Sequence, residues 1–303
     1  MARLPVASGT SWSGLGVNYG SDVVYDVPFR TSEVKQDIAT IAQVFSGIRI
    51  HIPPPSTPQW VLNNIAVVIG YAKAAGLQTL WGSTANGGDT LTATNWSAYV
   101  TAVLSRATLA AQYGVDDFTI GNEDEYRIDG TTLTAATFRS NLKALATSVK
   151  SRFNGTVSYT VSQNHTFGWI SDGKGSIDKL GLNVYGSNTP YDPRYFIYIL
   201  STFYKAFGAS MYIAEFNITD DWTSLSISEA EKCRYLKVRI NYIRRLGVAQ
   251  AYYFIYAHRS TNQFSLKLSS GDFSDMWWAL TNRRHNFVGV PNVPVWQTRH
   301  RRP

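Results

Sequence analysis

Apolar positions along this chain fall into two alternating rhythms. Short segments with every second residue apolar are followed by longer ones in which apolar residues recur every three or four positions. Period two places successive side chains on opposite faces of a strand; the longer spacing places them on one face of a helix. GLGVNY (14–19) reads as the first strand, and SEVKQDIATIAQVF then sets Val34, Ile38, Ile41 and Phe45 on one helical face. GIRIHI (47–52), ended by three prolines, is the second strand. A helix over QWVLNNIAVVIGYAKAAG follows, with Gly76 as its stop signal. LQTLWG (77–82) is the third strand, NWSAYVTAVLSRATLAAQYG a third helix and DFTIGNE (117–123) the fourth strand.

The second half repeats the rhythm. Thr134 is placed to cap a helix carrying Phe138, Leu142, Leu145 and Val149, which leads to the strand TVSYTVSQ (156–163). KLGLNVYG (179–186) is the sixth strand, and Asp192 with Pro193 opens the helix after it. MYIAEFN (211–217) is the seventh strand. Ser228 and Glu231 have capping-box spacing for the next helix, AQAYYFIY (249–256) is the eighth strand and DMWWALTNR a last helix. Eight strands alternating with helices predict an α/β fold, a single (β/α)8 TIM barrel over residues 1–283, with residues 284–303 as a basic C-terminal tail. An open doubly wound sheet is the competitor, but it normally carries a glycine-rich phosphate turn after its first strand, and GVNYGSD is not one.

Parity along the strands predicts which side chains enter the barrel. Ile48, Ile50 and Ile52, Phe118 and Ile120, Val157, Tyr159 and Val161, and Leu180, Leu182 and Val184 form the bulky parity that should pack on helices. The opposite parity is small or polar: Gly47, Arg49, His51; Thr119, Gly121, Glu123; Ser158, Thr160, Ser162; Gly181, Asn183, Tyr185. On the seventh strand Met211, Ile213 and Glu215 share one parity, which would carry Glu215 to the axis. Barrel enzymes place their chemistry at the C-terminal ends of the strands, where Glu123 and Glu215 stand.

Composition narrows the classes. With 44% hydrophobic residues in 303 the chain can bury a large core, and 16% charged against 14% aromatic suits a folded enzyme or glycan-binding surface rather than a disordered chain. The net charge of +7 is partly an effect of the tail, where Arg299, Arg301 and Arg302 follow Arg283 and Arg284. No zinc-finger or phosphate-loop spacing accompanies it, so nucleic acid is not an expected partner; the excess is a bias toward anionic glycan or cell-wall surfaces. Cys233 is the one cysteine, so no intrachain disulfide or cysteine metal site is expected. The opening MARLPVASGTSWSG lacks an apolar core of signal-peptide length and no run reaches a membrane span, so a soluble protein is expected.

Two glutamates at opposite strand tips suit glycosidic cleavage, which needs one carboxylic acid to protonate the leaving oxygen and one carboxylate to attack or to activate water. The motifs are specific enough to compare. IGNE on the fourth strand, LNVYG on the sixth, IAEF on the seventh and GVNYG on the first resemble the clan A glycoside hydrolases, retaining barrel enzymes that include cellulases, mannanases and plant-type β-1,3-glucanases. The resemblance covers residues 14–283 as separate strand tips. It implies a β-linked glycan as substrate, no cofactor or metal, Glu123 as general acid/base and Glu215 as nucleophile. Asn122 would bond the sugar hydroxyl beside the reacting carbon, which by parity requires a bulge at the end of the fourth strand. Arg49 would keep the nucleophile ionised and Tyr185 would donate to the same carboxylate; Asn18 and Asn183 complete the polar lining. Many clan members carry a Trp at the end of the eighth strand. YYFIYAHR offers Tyr256 and His258 there instead, with Trp12, Trp81 and Trp169 as further candidate sugar platforms.

Plainer readings stand beside these. Asp124 and Glu125 read as solvated charges opening a loop, Arg49 as a structural ion pair, Tyr185 as a barrel cap and Trp277 and Trp278 as core. A metal-dependent hydrolase would use NEDE as oxygen ligands, but His51 has no second histidine two residues away. A non-catalytic glycan-binding barrel would keep the aromatic cleft and usually lose one acid.

Overall fold

A computed structural model of the protein describes residues 14–85, 89–185, 193–218, 227–256, 265–267 and 273–281. Eight parallel strands close a barrel in chain order: β1 (Leu15–Tyr19), β2 (Gly47–Ile50), β3 (Gln78–Gly82), β4 (Asp117–Asn122), β5 (Thr156–Ser162), β6 (Lys179–Val184), β7 (Met211–Phe216) and β8 (Ala251–Tyr253). β8 pairs with β1 through Leu15 and Ala251, so the sheet has no edge. The helices are α1 (Ser21–Val24), α2 (Thr31–Ala42), α3 (Gln59–Ala74), α4 (Trp96–Tyr113), α5 (Ala135–Lys150), α6 (Thr166–Asp172), α7 (Arg194–Phe207), α8 (Glu229–Leu246) and α9 (Asp275–Thr281).

Local chemistry sets the helix ends as expected. Thr134 accepts from Thr137 N ahead of α5, and Ser228 and Glu231 form a reciprocal capping box on α8. Gly114 closes α4 in the left-handed region. The short α1 and α6 have no counterpart in the sequence reading. Asp192, Trp12, His258, the Trp278 side chain and the basic tail lie outside the described residues. Trp277 is buried and packs edge-on against Phe45, as a core residue should.

Two apolar regions result. The larger lies between strands and helices and contains Ile48, Ile50, Phe118, Ile120, Val157, Tyr159, Leu180, Leu182 and Val184. The smaller fills the barrel with Ile52, Leu80, Tyr212, Ala214 and Tyr252. Inward glycines make room for its rings: a methyl at Gly16 would meet the Tyr252 ring at 2.5 Å, and one at Gly181 would meet Tyr212 at 2.7 Å. Parity therefore holds on β2, β5 and β6 and fails at three places. Ile52 joins the inner cluster because β2 ends at Ile50 and the alternation ends with it. Gly121 faces outward, where a side chain would strike Tyr159, Tyr99 and Asp124. On β7 it is Tyr212 and Ala214 that point inward, while Met211 and Ile213 pack on helices.

Candidate active site

The last two exceptions are β-bulges, and they build the site. Along β4 and β5, Thr119 pairs with Ser158 but Asn122 pairs with Thr160, so one extra residue is absorbed and Asn122 turns to the inward row. Along β6 and β7, Leu182 pairs with Ile213 and Asn183 with Glu215; Ala214 is the inserted residue. Glu215 thus reaches the barrel mouth by slippage, and simple alternation from Met211 places it there for the wrong reason.

Arg49 on β2 is the hub of the buried polar set. Its Nη1 donates to Glu215 Oε1 at 2.6 Å and to Asn18 Oδ1 at 2.6 Å, and its Nη2 donates to Asn122 Oδ1 at 2.7 Å. Both members of the ion pair are buried, so mutual attraction must offset their loss of hydration. The Tyr185 hydroxyl donates to Glu215 Oε2, so each oxygen of this carboxylate has its own donor. Burial and the negative charge of Glu215 hold the Tyr185 phenol well above its ordinary range, which keeps its proton in place as a donor.

Glu123 follows β4 with φ 56° and ψ 22°, and among the described residues it is the one non-glycine with positive φ. Its backbone N–H donates to Thr160 O at 2.9 Å. Burial foremost, and then the charge of Glu215, raise its carboxyl to about 7 against the opposing pull of Asn183, Arg49 and Ser162. A left-handed backbone at a glutamate is sterically costly and is found where surrounding contacts impose it. Glu123 and Asn122 line a cavity of about 570 Å³ together with Tyr25, His51, Ile52, Pro54, Thr84, Ala85, Tyr126 and Arg127.

The structure rearranges the remaining expectations. Asn18 is buried and fully engaged: its Nδ2 donates to Ala214 O at 3.0 Å, capturing a carbonyl of the β7 bulge, so it braces Arg49 rather than meeting a ligand. Asn183 donates to Asn122 Oδ1 at 3.4 Å. Trp81 is fully buried on the helix side of β3 against Tyr113, and a ring enclosed there cannot stack on a sugar. Trp169 is equally buried; it packs on Tyr159 and its Nε1 donates to Glu125 Oε2 at 3.1 Å. Tyr256 is enclosed between Tyr19 and Trp277 and bonds Asp37 through its hydroxyl, which removes it from the mouth. Asp124 and Glu125 are buried rather than solvated: Thr84, Ala85 and Tyr99 hold the first, Arg139 and Trp169 the second.

Phe254 lies inside the run read as the eighth strand but just past the end of β8, and nothing in the sequence marks it as a wall residue of the site. It is half-buried with its ring edge-on to Tyr185 at 6.4 Å. Tyr25 is 39% exposed, beside His51 at 5.6 Å and Trp60 at 6.1 Å, and so presents a free ring at the cavity wall. Among the described residues no three His, Cys, Asp or Glu side chains are grouped to hold a metal ion, and no helix is long and apolar enough to cross a membrane.

No protein-family model and no curated protein sequence matches the chain. Solved structures do. A family 113 β-1,4-mannanase superimposes with a TM-score of 0.65 at 14% identity, covering 90% of this chain and 98% of that one. The family 113 β-mannanase AaManA from Alicyclobacillus acidocaldarius, in complex with ManMIm, gives 0.63 at 15% identity over 86% and 91%. A family 5 xyloglucanase from Paenibacillus pabuli gives 0.61 at 17% identity over 89% and 97%. At these identities the likeness is one of fold: the chain shares its eight-stranded barrel with glycoside hydrolases of families 113, 30 and 5, the clan whose strand-tip motifs it resembles.

Proposed function

We propose that this protein is a retaining glycoside hydrolase that cleaves β-linked glycans by double displacement. The observation that carries the reading is the unequal treatment of two carboxyl groups at one barrel mouth. Glu215 is paired with Arg49 and receives the Tyr185 hydroxyl, while Glu123 is held near neutrality by burial beside that charge.

In the first step a Glu215 oxygen attacks the anomeric carbon as Glu123 gives its proton to the departing glycosidic oxygen, leaving a glycosyl ester on Glu215. Glu123, now ionised, takes a proton from water as that water attacks the same carbon, which frees Glu215 and restores the proton to Glu123. Asn122, on the inward row, has its Oδ1 held by Arg49 and is left to donate its amide toward the neighbouring sugar hydroxyl. Arg49 and Tyr185 act through Glu215, and no cofactor is called for.

Tyr25 and Tyr126, exposed at the cavity wall, take over the part of sugar platforms from the buried tryptophans, since a ring face open to solvent fits the apolar face of a pyranose. The cavity runs from Glu123 across the loops of β1 to β4, room for units beyond the one being cleaved, and this supports attack within a polymer. The mannanase and xyloglucanase neighbours suggest plant-type β-1,4-glycans as the first substrates to try. Incubation with a panel of β-mannan, xylan, xyloglucan and β-glucan, following new reducing ends and the anomer first released by NMR, tests the reading. Release of β-anomers that then mutarotate supports it. An α-anomer first would make the enzyme inverting, and binding of a glycan without cleavage would make the protein a lectin.

A further inference from the structure

Glu123, Asp124 and Glu125 are consecutive carboxylates with three different environments. The second faces away from the cavity. Asp124 is 1% exposed, and its Oδ1 accepts from Thr84 Oγ1 at 2.6 Å and from Ala85 N at 3.0 Å, while its Oδ2 lies 2.7 Å from the Tyr99 hydroxyl. Thr84 and Ala85 belong to the loop after β3 and line the same cavity as Glu123. One buried side chain therefore ties the residue after Glu123 to the cavity wall on one side and to α4 on the other.

We infer that Asp124 is a positioning residue that locks Glu123 in its left-handed backbone conformation and sets the separation between that carboxyl and the wall formed by Thr84 and Ala85. The inference rests on the reading of Glu123 as the acid/base. Left to itself Glu123 would relax to negative φ, and its side chain would swing with the peptide plane. Two contacts oppose this: Glu123 N is held by Thr160 O, and the residue that follows cannot move without breaking all of Asp124's bonds. Glu125 reinforces the lock from the far side through Arg139 Nη1 at 2.5 Å.

Proton counting adds a detail. Tyr99 has one hydroxyl proton but two oxygens in reach, Ile120 O at 2.6 Å and Asp124 Oδ2 at 2.7 Å. A carbonyl oxygen has nothing to donate, so both contacts are hydrogen bonds when Tyr99 donates to Ile120 O and Asp124 carries a proton and donates to Tyr99. Burial pushes Asp124 up to about 6, so above that pH Tyr99 shares its one proton between the two oxygens, and below it the protonated arrangement is filled. Asparagine at this position reproduces it: its oxygen accepts from Thr84 and Ala85 and its amide donates to Tyr99. Alanine supplies neither.

The test reads Glu123 directly. In protein labelled with 13C at glutamate carboxyls, the Glu123 signal is assigned by its loss in Glu123→Gln and titrated in wild type, Asp124→Ala and Asp124→Asn. The midpoint falls toward the ordinary carboxylate range in Asp124→Ala as water reaches the loosened side chain, and it stays at the wild-type value in Asp124→Asn. Turnover of a glycan whose leaving group is a sugar falls by about 10²-fold in Asp124→Ala with KM little changed. The deficit shrinks on an aryl glycoside with an acidic phenol, which needs no protonation, and Asn restores most of the rate. Should Asp124→Ala fail to fold, Tyr99→Phe breaks one arm of the lock and lowers the same midpoint. An unmoved Glu123 midpoint in the alanine or phenylalanine variant, or an Asn variant as damaged as the Ala one, overturns the inference. A wild type inactive on all glycans would overturn the hydrolase reading and leave the titration result standing.

Discussion

Arg49 and Glu215 are separated by 166 positions in the chain, and their side chains meet at 2.6 Å beneath the barrel mouth. Removing one partner of such a buried pair leaves the other charged and unsolvated. Arg49→Ala is expected to lower stability by about 3–5 kcal/mol, measured by denaturant titration. It also strips Glu215 and Asn122 of a shared donor. Turnover is therefore expected to fall with stability, and Arg49→Lys, which keeps the charge, to recover part of both. Wild-type turnover in folded Arg49→Ala would show that Arg49 is purely structural.

On the proposed mechanism Glu215→Gln removes the attacking oxygen and keeps the shape. Loss of the order of 10⁴-fold or more in turnover is expected, as when a nucleophile is deleted from a working set. In Glu215→Gly added azide should restore turnover of an activated aryl β-glycoside and yield the glycosyl azide of opposite configuration, identified by NMR. Wild-type rates in either variant would remove Glu215 from the mechanism.

On the same mechanism Glu123 should set the alkaline side of the pH–rate profile. An acid held near 7 is protonated below that pH and lost above it, so kcat/KM should decline above about pH 7. Glu123→Gln should cut turnover of a sugar leaving group by about 10²–10⁴-fold and erase the alkaline limb on substrates with good leaving groups.

The same shift makes a stability prediction. Folding raises Glu123 from 4.5 to about 7, so the folded state binds more protons than the unfolded state between those values. Stability therefore falls as pH rises through that window, and above it an ionised Glu123 costs up to about 3 kcal/mol, the equivalent of the shift. Glu123→Gln should be more stable than wild type at pH 8 and lose that advantage near pH 5. Thermal melts at the two values decide it; an equal gain at both would mean relief of backbone strain instead.

Exposed and enclosed aromatics should separate by phenotype. Tyr25→Ala is expected to raise KM for polymer with little effect on melting, since the ring is half free at the cavity wall. Trp81→Ala empties a site packed against Tyr113 and should cost about 3–5 kcal/mol, with KM unaffected in the protein that remains folded.

What the amino-acid order determined by itself is the architecture and the strand tips at which the candidate acids stand. Alternation in GIRIHI and KLGLNVYG, the capping residues Thr134 and Ser228 and the stop at Gly76 are local signals, and local signals repeated eight times specify the barrel. Strand ends also marked Glu123, Glu215, Arg49 and Tyr185, because each strand delivers its last inward residue to the same mouth. Tertiary structure alone decided the bulges at Ala214 and before Asn122, since a one-residue slip depends on the neighbouring strand and leaves no periodic trace. It also decided which rings and carboxylates are enclosed. Trp81, Trp169, Tyr256, Asp124 and Glu125 sit near strand ends in the chain, but whether a side chain there meets solvent or a helix depends on partners such as Tyr113, Tyr99 and Arg139 that lie on other elements. Burial is a property of the packed neighbourhood, and a linear pattern carries only the half of it that repeats.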